Sequence, residues 1–226
     1  MNAFAAAMLD QLQNPAQNIR FRMQMENGGE VDCACRDFLR LRPEEQALLT
    51  ALLSDCPAPA VLDVGCGAGR HLDFIRQRQP AAALTGFEKA NDLRQSCEKQ
   101  FQSAMFRESF ADVPDDSRFD LVLLMGNGLG IFGDEQATLV GLRRIYQLLN
   151  PGGMLIAESG NPFGTDFFVS RFMIRYRNLI DRPFPWGYAS RSWLERNLTG
   201  LGYRVDRVVN SAVPGRFFIA CACKCD

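Results

Sequence analysis

The residues best suited to chemistry lie in one short stretch, VLDVGCGAGR at positions 61–70. An acid, Asp63, stands near the end of an apolar run, and glycines follow at the alternate positions 65, 67 and 69. Glycine lets the backbone turn sharply and approach a ligand closely, because no Cβ intervenes. The amides that open the next helix favour a negative group. Such a turn could serve a dinucleotide, a nucleotide phosphate, S-adenosylmethionine or no ligand.

A second acid stands where it could complete a binding site. Glu88 follows the second apolar run, 23 positions after Gly65, with Lys89 beside it. A carboxylate at this place can accept hydrogen bonds from both hydroxyls of a ribose. The usual dinucleotide turn is spaced G-x-G-x-x-G, whereas this chain has G-x-G-x-G. The glycine spacing therefore disfavours a dinucleotide, while Glu88 suits any ligand that carries a ribose.

The elements that must position these acids alternate along the chain. Apolar runs at 60–65, 82–87, 104–109, 119–126 and 153–159 read as strands, with helical periodicity between most of them. Alternation of this kind predicts a mostly parallel sheet with helices on both faces. Right-handed crossovers place the carboxyl ends of the strands at one edge, where ligands bind in α/β proteins. Both acids are expected at that edge.

Four motifs, in order, carry a resemblance to a known family. They are VLDVGCGAGRHL, LTGFEKA, FDLVLLMGNGLGIFG and LLNPGGMLIAES, and they fall within residues 59–160. In this order and at these separations they resemble the class I S-adenosylmethionine-dependent methyltransferases. The resemblance implies a doubly wound α/β fold with a seven-stranded, mostly parallel sheet whose last strand is antiparallel. It also implies S-adenosylmethionine as the cofactor.

The resemblance assigns the cofactor-binding residues. Asp63 would face the methionine amino group, the glycine turn would cradle the carboxypropyl end, and Glu88 would hold the ribose. Gly126 and Asn127 would line the methionine portion near the methyl group. The full predicted set is Asp63, Gly65, Cys66, Gly67, Gly69, Glu88, Lys89, Ser109, Phe110, Gly126 and Asn127.

The third strand end departs from the family pattern. Ser109 stands where the family commonly has an acid, and Phe110 follows it. Ser109 could bond the adenine amino group and Phe110 could pack on the adenine face. Glu108 or Asp112 could supply the carboxylate instead.

Two residues are candidates for catalysis. Asn127 could orient the acceptor through its side-chain amide, or simply form a turn before Gly128. His71, the single histidine, has a suitable pKa for a general base, although a first-turn side chain facing solvent or the cofactor is the commoner case. Methyl transfer needs no strong base, because positioning supplies most of the acceleration.

The sequence predicts that the chain is divided into four regions. Residues 1–58 form a helical N-terminal cap, with helices near 3–13 and 43–53. Residues 59–160 are the cofactor-binding core, and residues 161–189 an acceptor-side insertion. A C-terminal helix and strand pair, residues 190–226, complete the sheet.

The insertion is rich in arginine and aromatic residues. Its arginines are Arg171, Arg175, Arg177 and Arg182. Arginines beside aromatics could clamp an acceptor that carries a carboxylate or phosphate. The favoured interpretation is the solvated face of a helix that packs through its aromatic stripe.

Composition narrows the function classes. A net charge of −1 disfavours nucleic acid as a partner. No apolar run reaches the ~20 residues that span a bilayer, and the N-terminus lacks a signal-peptide pattern, so a cytoplasmic location is predicted.

The eight cysteines include no C-x-x-C. A metal site from Cys33, Cys35 and the cysteines at 221, 223 and 225 is conceivable, but none is predicted.

The sequence therefore predicts an S-adenosylmethionine-dependent methyltransferase that acts on a small molecule by in-line methyl transfer. One alternative keeps the enzyme class with a protein or nucleic-acid acceptor. Another is a methyltransferase-like regulatory or assembly subunit that binds the cofactor without catalysis. The acceptor, the attacked atom and the oligomeric state are not determined by these motifs.

Overall fold

The computed structural model describes residues 2–54, 56, 58–161, 163–210 and 217–225. The helices are α1 (Ala3–Gln13), α2 (Arg36–Leu39), α3 (Pro43–Leu53), α4 (Arg70–Arg78), α5 (Asn91–Gln100), α6 (Glu135–Leu148) and α7 (Arg191–Gly200). The strands are β1 (Arg20–Met25), β2 (Glu30–Ala34), β3 (Ala60–Val64), β4 (Ala83–Phe87), β5 (Met105–Arg107), β6 (Phe119–Leu124), β7 (Leu149–Ser159), β8 (Phe167–Tyr176), β9 (Leu179–Ile180), β10 (Phe184–Ala189), β11 (Tyr203–Asn210) and β12 (Phe218–Lys224). Short 3-10 turns span Phe110–Asp112 and Gly128–Phe132.

The large sheet has the strand order β11-β12-β7-β6-β3-β4-β5. Strands β3 to β7 pair in parallel, and β12 lies antiparallel between β7 and β11. One cluster of buried side chains packs α6 and α7 onto one face, and another packs α3, α4 and α5 onto the other. The predicted doubly wound, seven-stranded sheet with an antiparallel last strand is confirmed.

The cap sheet is a second, antiparallel sheet with the order β10-β8-β1-β2, and β9 pairs with β8. The prediction of a helical N-terminal cap is wrong for the hairpin β1–β2, which joins β8 of the insertion. The expected helix face in the insertion is also wrong, because β8 and β10 are strands. In β8, buried Phe172, Ile174 and Tyr176 alternate with less buried residues, the two-residue period of a strand.

The cap packs over the glycine turn of the large sheet. Helix α1 lies against α5 and β8, and its first amide, on Ala3, donates to the Asp181 carboxylate at 2.6 Å. Ala68 and Ala90, on either side of the predicted cofactor site, pack against the apolar cluster of α1 and the cap sheet. Residues of the turn are thus covered by the N-terminal part of the chain.

Two further sequence predictions concern the ends of elements. The strand predicted from residue 153 begins earlier, at Leu149, and carries Asn150 to Gly153 within it. The Pro-Gly turn predicted between the last two strands, at positions 214 and 215, lies outside the described residues. Among the residues that are described, no helix has the length and apolar character needed to cross a bilayer.

Candidate functional site

The glycine turn after β3 has the left-handed backbone that its sequence predicts. Gly65, Gly67 and Gly69 have φ values of 80°, 57° and 78°. Residues with a Cβ rarely adopt this conformation. The amides of Gly65 and Cys66 both donate to the Phe87 carbonyl at 2.9 Å, which holds the turn against the end of β4.

The three glycines face different surroundings. A Cβ on Gly65 would lie 2.7 Å from the Ile131 side chain, and one on Gly69 would lie 2.6 Å from the Phe101 ring. A Cβ on Gly67 would meet no heavy atom within 4 Å. Gly65 and Gly69 are therefore required by packing, whereas Gly67 borders open space that a ligand can use.

Glu88 joins the glycine turn to α5. Its carboxylate accepts from the Gly67 amide at 3.0 Å and from the Ala90 amide at 2.7 Å. Burial raises the pKa of Glu88 from its usual value, although these two amides oppose that shift. Each carboxylate oxygen can accept a second hydrogen bond, so ribose hydroxyls can still bind. Lys89 is exposed beside it.

His71 lies buried between two carboxylates. Its Nδ1 is 3.5 Å from Asp63 Oδ2, and its Nε2 is 3.6 Å from Glu45 Oε1. Both ring nitrogens face an acceptor, and only the protonated imidazolium has two N–H donors. Burial alone would lower the pKa of His71, but Asp63 and Glu45 raise it above the ordinary value. Both ring nitrogens thus lie beside carboxylates in the buried interior, and a catalytic role for His71 stays a prediction.

Buried polar atoms without partners mark the carboxyl edge of the large sheet. Among the described residues these are Asp63 Oδ2, His71 Nε2 and Asn127 Oδ1. Asp63 lies near the end of β3, and Asn127 follows β6, which is the neighbouring strand. Native proteins leave few buried polar atoms unpaired. Two acceptor oxygens at neighbouring strand ends fit a ligand with N–H or O–H donors.

Glu158, near the end of β7, holds the loop that follows β6. Its Oε2 accepts from the amides of Gly126 at 2.6 Å and Asn127 at 3.2 Å. Its Oε1 pairs with Arg42 Nη2 at 2.6 Å. Asn127 itself has a left-handed φ of 57°, which asparagine tolerates better than most residues. The predicted residues Gly126 and Asn127 are thus positioned by an acid that the sequence motifs did not single out.

Glu45 is the second acid that the motifs missed. Its Oε1 accepts from Arg42 and Arg70, both at 3.0 Å, and faces His71. Burial would raise the pKa of Glu45, but His71 and the two arginines lower it to about 2. In the sequence, Glu45 stands in RPEE, which reads as an ordinary helix start. Only its partners Arg70 and His71 on α4 make it part of the site.

The end of β5 carries the uncertain predicted residues. Ser109 Oγ accepts from the Ala111 amide at 3.2 Å, and Asp112 accepts from the Ser109 amide at 3.1 Å, so both side chains cap the short turn. The Phe110 ring packs edge-on against Phe132 at 5.9 Å. Glu108 is exposed and pairs with Arg94. An adenine role for Ser109 and Phe110 stays a prediction.

The cysteines are the residues that could have formed a metal site. All eight are free thiols. The part of the chain that the structure describes contains no group of three or more His, Cys, Asp or Glu side chains that could hold a metal ion. Cys66 and Cys97 lie together under the glycine turn, where both Sγ atoms approach the Gly67 carbonyl.

The fold and the site together define a Rossmann-like protein with a cofactor site at the carboxyl edge of its sheet. Residues 61–153 match the family described as a methyltransferase domain. With the motifs and the seven-stranded topology, this match supports the resemblance to the class I S-adenosylmethionine-dependent methyltransferases.

Solved structures share the fold. An S-adenosylmethionine-dependent methyltransferase from Bacteroides fragilis, in complex with S-adenosyl-L-homocysteine, has a TM-score of 0.80 and 18% identity. The comparison covers 100% of this chain and 95% of that chain. The 1,6-didemethyltoxoflavin-N1-methyltransferase of Burkholderia thailandensis has a TM-score of 0.59 and 18% identity, over 80% of this chain and 76% of that chain.

Curated relatives are similar over part of their length. The trans-aconitate 2-methyltransferase of Rhizobium meliloti is 25% identical over 177 residues, 77% of this chain and 64% of the relative. That of Delftia acidovorans is 28% identical over 123 residues, 53% of this chain and 44% of the relative. The matches thus span about half the length of these relatives.

Proposed function

We propose that this protein is an S-adenosylmethionine-dependent methyltransferase that acts on a small-molecule acceptor. The observation that carries the proposal is the buried Asp63 carboxylate, whose Oδ2 forms no hydrogen bond among the described residues and lies 3.5 Å from His71 Nδ1. Asp63 lies near the end of the strand that leads into Gly67, the glycine that borders open space. An α-ammonium group at Asp63 would satisfy this oxygen. The family match supports the same cofactor.

Residues of the site fit the methionine and ribose parts of that cofactor. Asp63 would bind the amino group, the Gly67 backbone would lie along the methionine chain, and Glu88 would accept the ribose hydroxyls. When bound, S-adenosylmethionine supplies an activated methyl group whose sulfonium sulfur is the leaving group in an in-line displacement. Asn127 Oδ1 would accept a hydrogen bond from the acceptor and orient the attacking atom.

Catalysis in this site rests on position. His71 lies between the carboxylates of Asp63 and Glu45, and Glu158 holds the loop that carries Asn127. Fixed reactants in the correct geometry account for a large part of many enzymatic accelerations. None of these residues needs to remove a proton before attack.

The cytoplasmic location predicted from the sequence stays a prediction.

A labelled-methyl experiment tests the function. The protein is incubated with methyl-labelled S-adenosylmethionine and a metabolite extract, and separately with a protein fraction and with nucleic acid. We expect label in small molecules, together with S-adenosylhomocysteine that forms only when extract is present. Label in macromolecules alone would contradict the small-molecule acceptor. Cofactor binding without any labelled product would favour a non-catalytic subunit.

A further inference from the structure

The two faces of the cap sheet differ in chemistry. Strands β8 and β10 pair so that Phe184 lies opposite Phe172 and Tyr188 lies opposite Phe168. Residues directly opposite each other point to the same side of a sheet. Side chains alternate along a strand, so the residues directly before and after these four point to the opposite side of the sheet.

One side is an aromatic face, which comprises Phe168, Phe172, Phe184, Trp186 and Tyr188. The ring centroids of successive members lie 6.1 to 6.5 Å apart, so the rings form one continuous surface. Along the fully described strands β1, β8 and β10, this side has no charged residue. Burial raises the pKa of Tyr188 to about 12, so its hydroxyl stays protonated.

The aromatic face meets the proposed methyl-transfer site. Trp186 Nε1 donates to the Asn127 carbonyl at 3.2 Å. A Cβ on Gly130 would lie 2.1 Å from the same indole nitrogen, so the ring sits directly on the turn after β6. Further along the same face, Phe184 packs against the cluster that also contacts Ala68 of the glycine turn.

The arginines lie on the opposite side. Arg22 of β1 and Arg175 of β8 are directly opposite each other, and Arg171 shares their side of the sheet. Arg171 and Arg175 therefore do not lie on the aromatic face that meets the proposed methyl-transfer site. On the core side, Arg42 and Arg70 are engaged with the buried acids Glu45 and Glu158.

We infer that the acceptor is a planar, uncharged aromatic molecule with an N–H or O–H group, and not a polycarboxylate. This inference rests on the proposed function. Aromatic rings favour offset or edge-on contact with another ring. The unpaired Asn127 Oδ1 would accept the N–H or O–H hydrogen bond. Burying several carboxylates without unpaired cations would instead carry a large desolvation cost.

Every bond and proton in the methyl transfer can be accounted for with the acceptor, the cofactor and water. The lone pair of the acceptor nitrogen or oxygen forms a bond to the methyl carbon. The bond from that carbon to sulfur breaks, and its electron pair stays on sulfur to give S-adenosylhomocysteine. The proton of the acceptor passes to water, so no further reactant is needed.

Calorimetry on the protein saturated with S-adenosylhomocysteine tests the inference. The probes are benzimidazole for N–H, 2-naphthol for O–H and trans-aconitate as the polycarboxylate. We expect at least one planar probe to bind and trans-aconitate not to bind. Phe168→Ala should weaken the planar probe by about tenfold. Val169→Ala, its neighbour on the other side of β8, is the matched control and should leave that affinity within about twofold.

The outcomes separate the two proposals. Binding of S-adenosylhomocysteine without binding of either planar probe would overturn the acceptor inference and leave the methyltransferase proposal standing. Binding of trans-aconitate that is lost in Arg175→Ala would overturn the inference and assign the acceptor to the arginine side. Failure of S-adenosylhomocysteine itself to bind would overturn the proposed function.

Discussion

At the scale of single residues, His71 shows how burial changes the role of a side chain. A lone histidine after a glycine turn suggests a base, because its ordinary pKa is 6.5. Its two nitrogens instead face Asp63 and Glu45, which raise its pKa above that ordinary value. Asp63 and Glu88 could be predicted from spacing. The role of Glu45 could not, because its ion-pair partners lie on distant elements.

The charge of His71 can be measured directly, because it is the only histidine. Its nitrogen NMR resonances should titrate with a pKa above 6.5. A pKa raised by folding adds stability below 6.5, which is lost as the pH rises through the folded value. Wild-type stability to urea should therefore fall over this range, and His71→Gln should lack that part of the slope. A pKa below 6.5 would contradict the assignment.

At the scale of elements, the site depends on how α3 and the cap sheet attach to the large sheet. Arg42, just before α3, pairs with Glu158 of β7, 116 positions away. Trp186 of β10 lies on the turn after β6. Periodicity predicts the existence of a helix at 43–53 and its bounds agree with α3. Periodicity does not say which strand end that helix will cover.

Arg42→Gln tests the attachment of α3. It removes a cation from two buried carboxylates, so we expect a loss of about 3 kcal/mol in the free energy of unfolding. Affinity for S-adenosylhomocysteine should fall as well, because Glu158 holds Gly126 and Asn127. Arg191→Gln breaks a surface pair with Glu195 and should change stability by no more than ~0.5 kcal/mol. Equal effects of the two changes on the free energy of unfolding would show that the buried ion pairs of Arg42 contribute little to stability.

Gly130→Ala tests the attachment of the cap sheet. The added methyl group would overlap the Trp186 indole, and we expect a cost of ~1–3 kcal/mol from the displacement it forces. Gly200→Ala, at the end of α7, meets nothing within 4 Å and should not destabilise the protein. Urea unfolding of both variants makes the comparison. If Gly130→Ala is as stable as wild type, the close contact between the turn and β10 is not structurally important.

At the scale of the whole molecule, the architecture of the large sheet could be predicted from the sequence, whereas the existence of the cap sheet could not. Consecutive βα units pair with near neighbours under a fixed crossover rule, so their order can be derived. The cap sheet joins β1 to β8, as in the pairing of Arg22 with Arg175, across the entire large-sheet core. The sequence favours a helix in the segment that forms β8, and the partner strand β1 lies too far away along the chain to be inferred. The acceptor side of the site was therefore the part least accessible to sequence reasoning.

The most direct test of the central claim is calorimetry of the purified protein with S-adenosylhomocysteine and with NAD. We expect binding of S-adenosylhomocysteine alone. Asp63→Asn should weaken it by about tenfold or more, because the buried acceptor loses its charge. Asp73→Asn is the control, since among the described residues that carboxylate accepts hydrogen bonds from Arg76 and Gln77 on α4. Binding of NAD in place of S-adenosylhomocysteine would contradict the account.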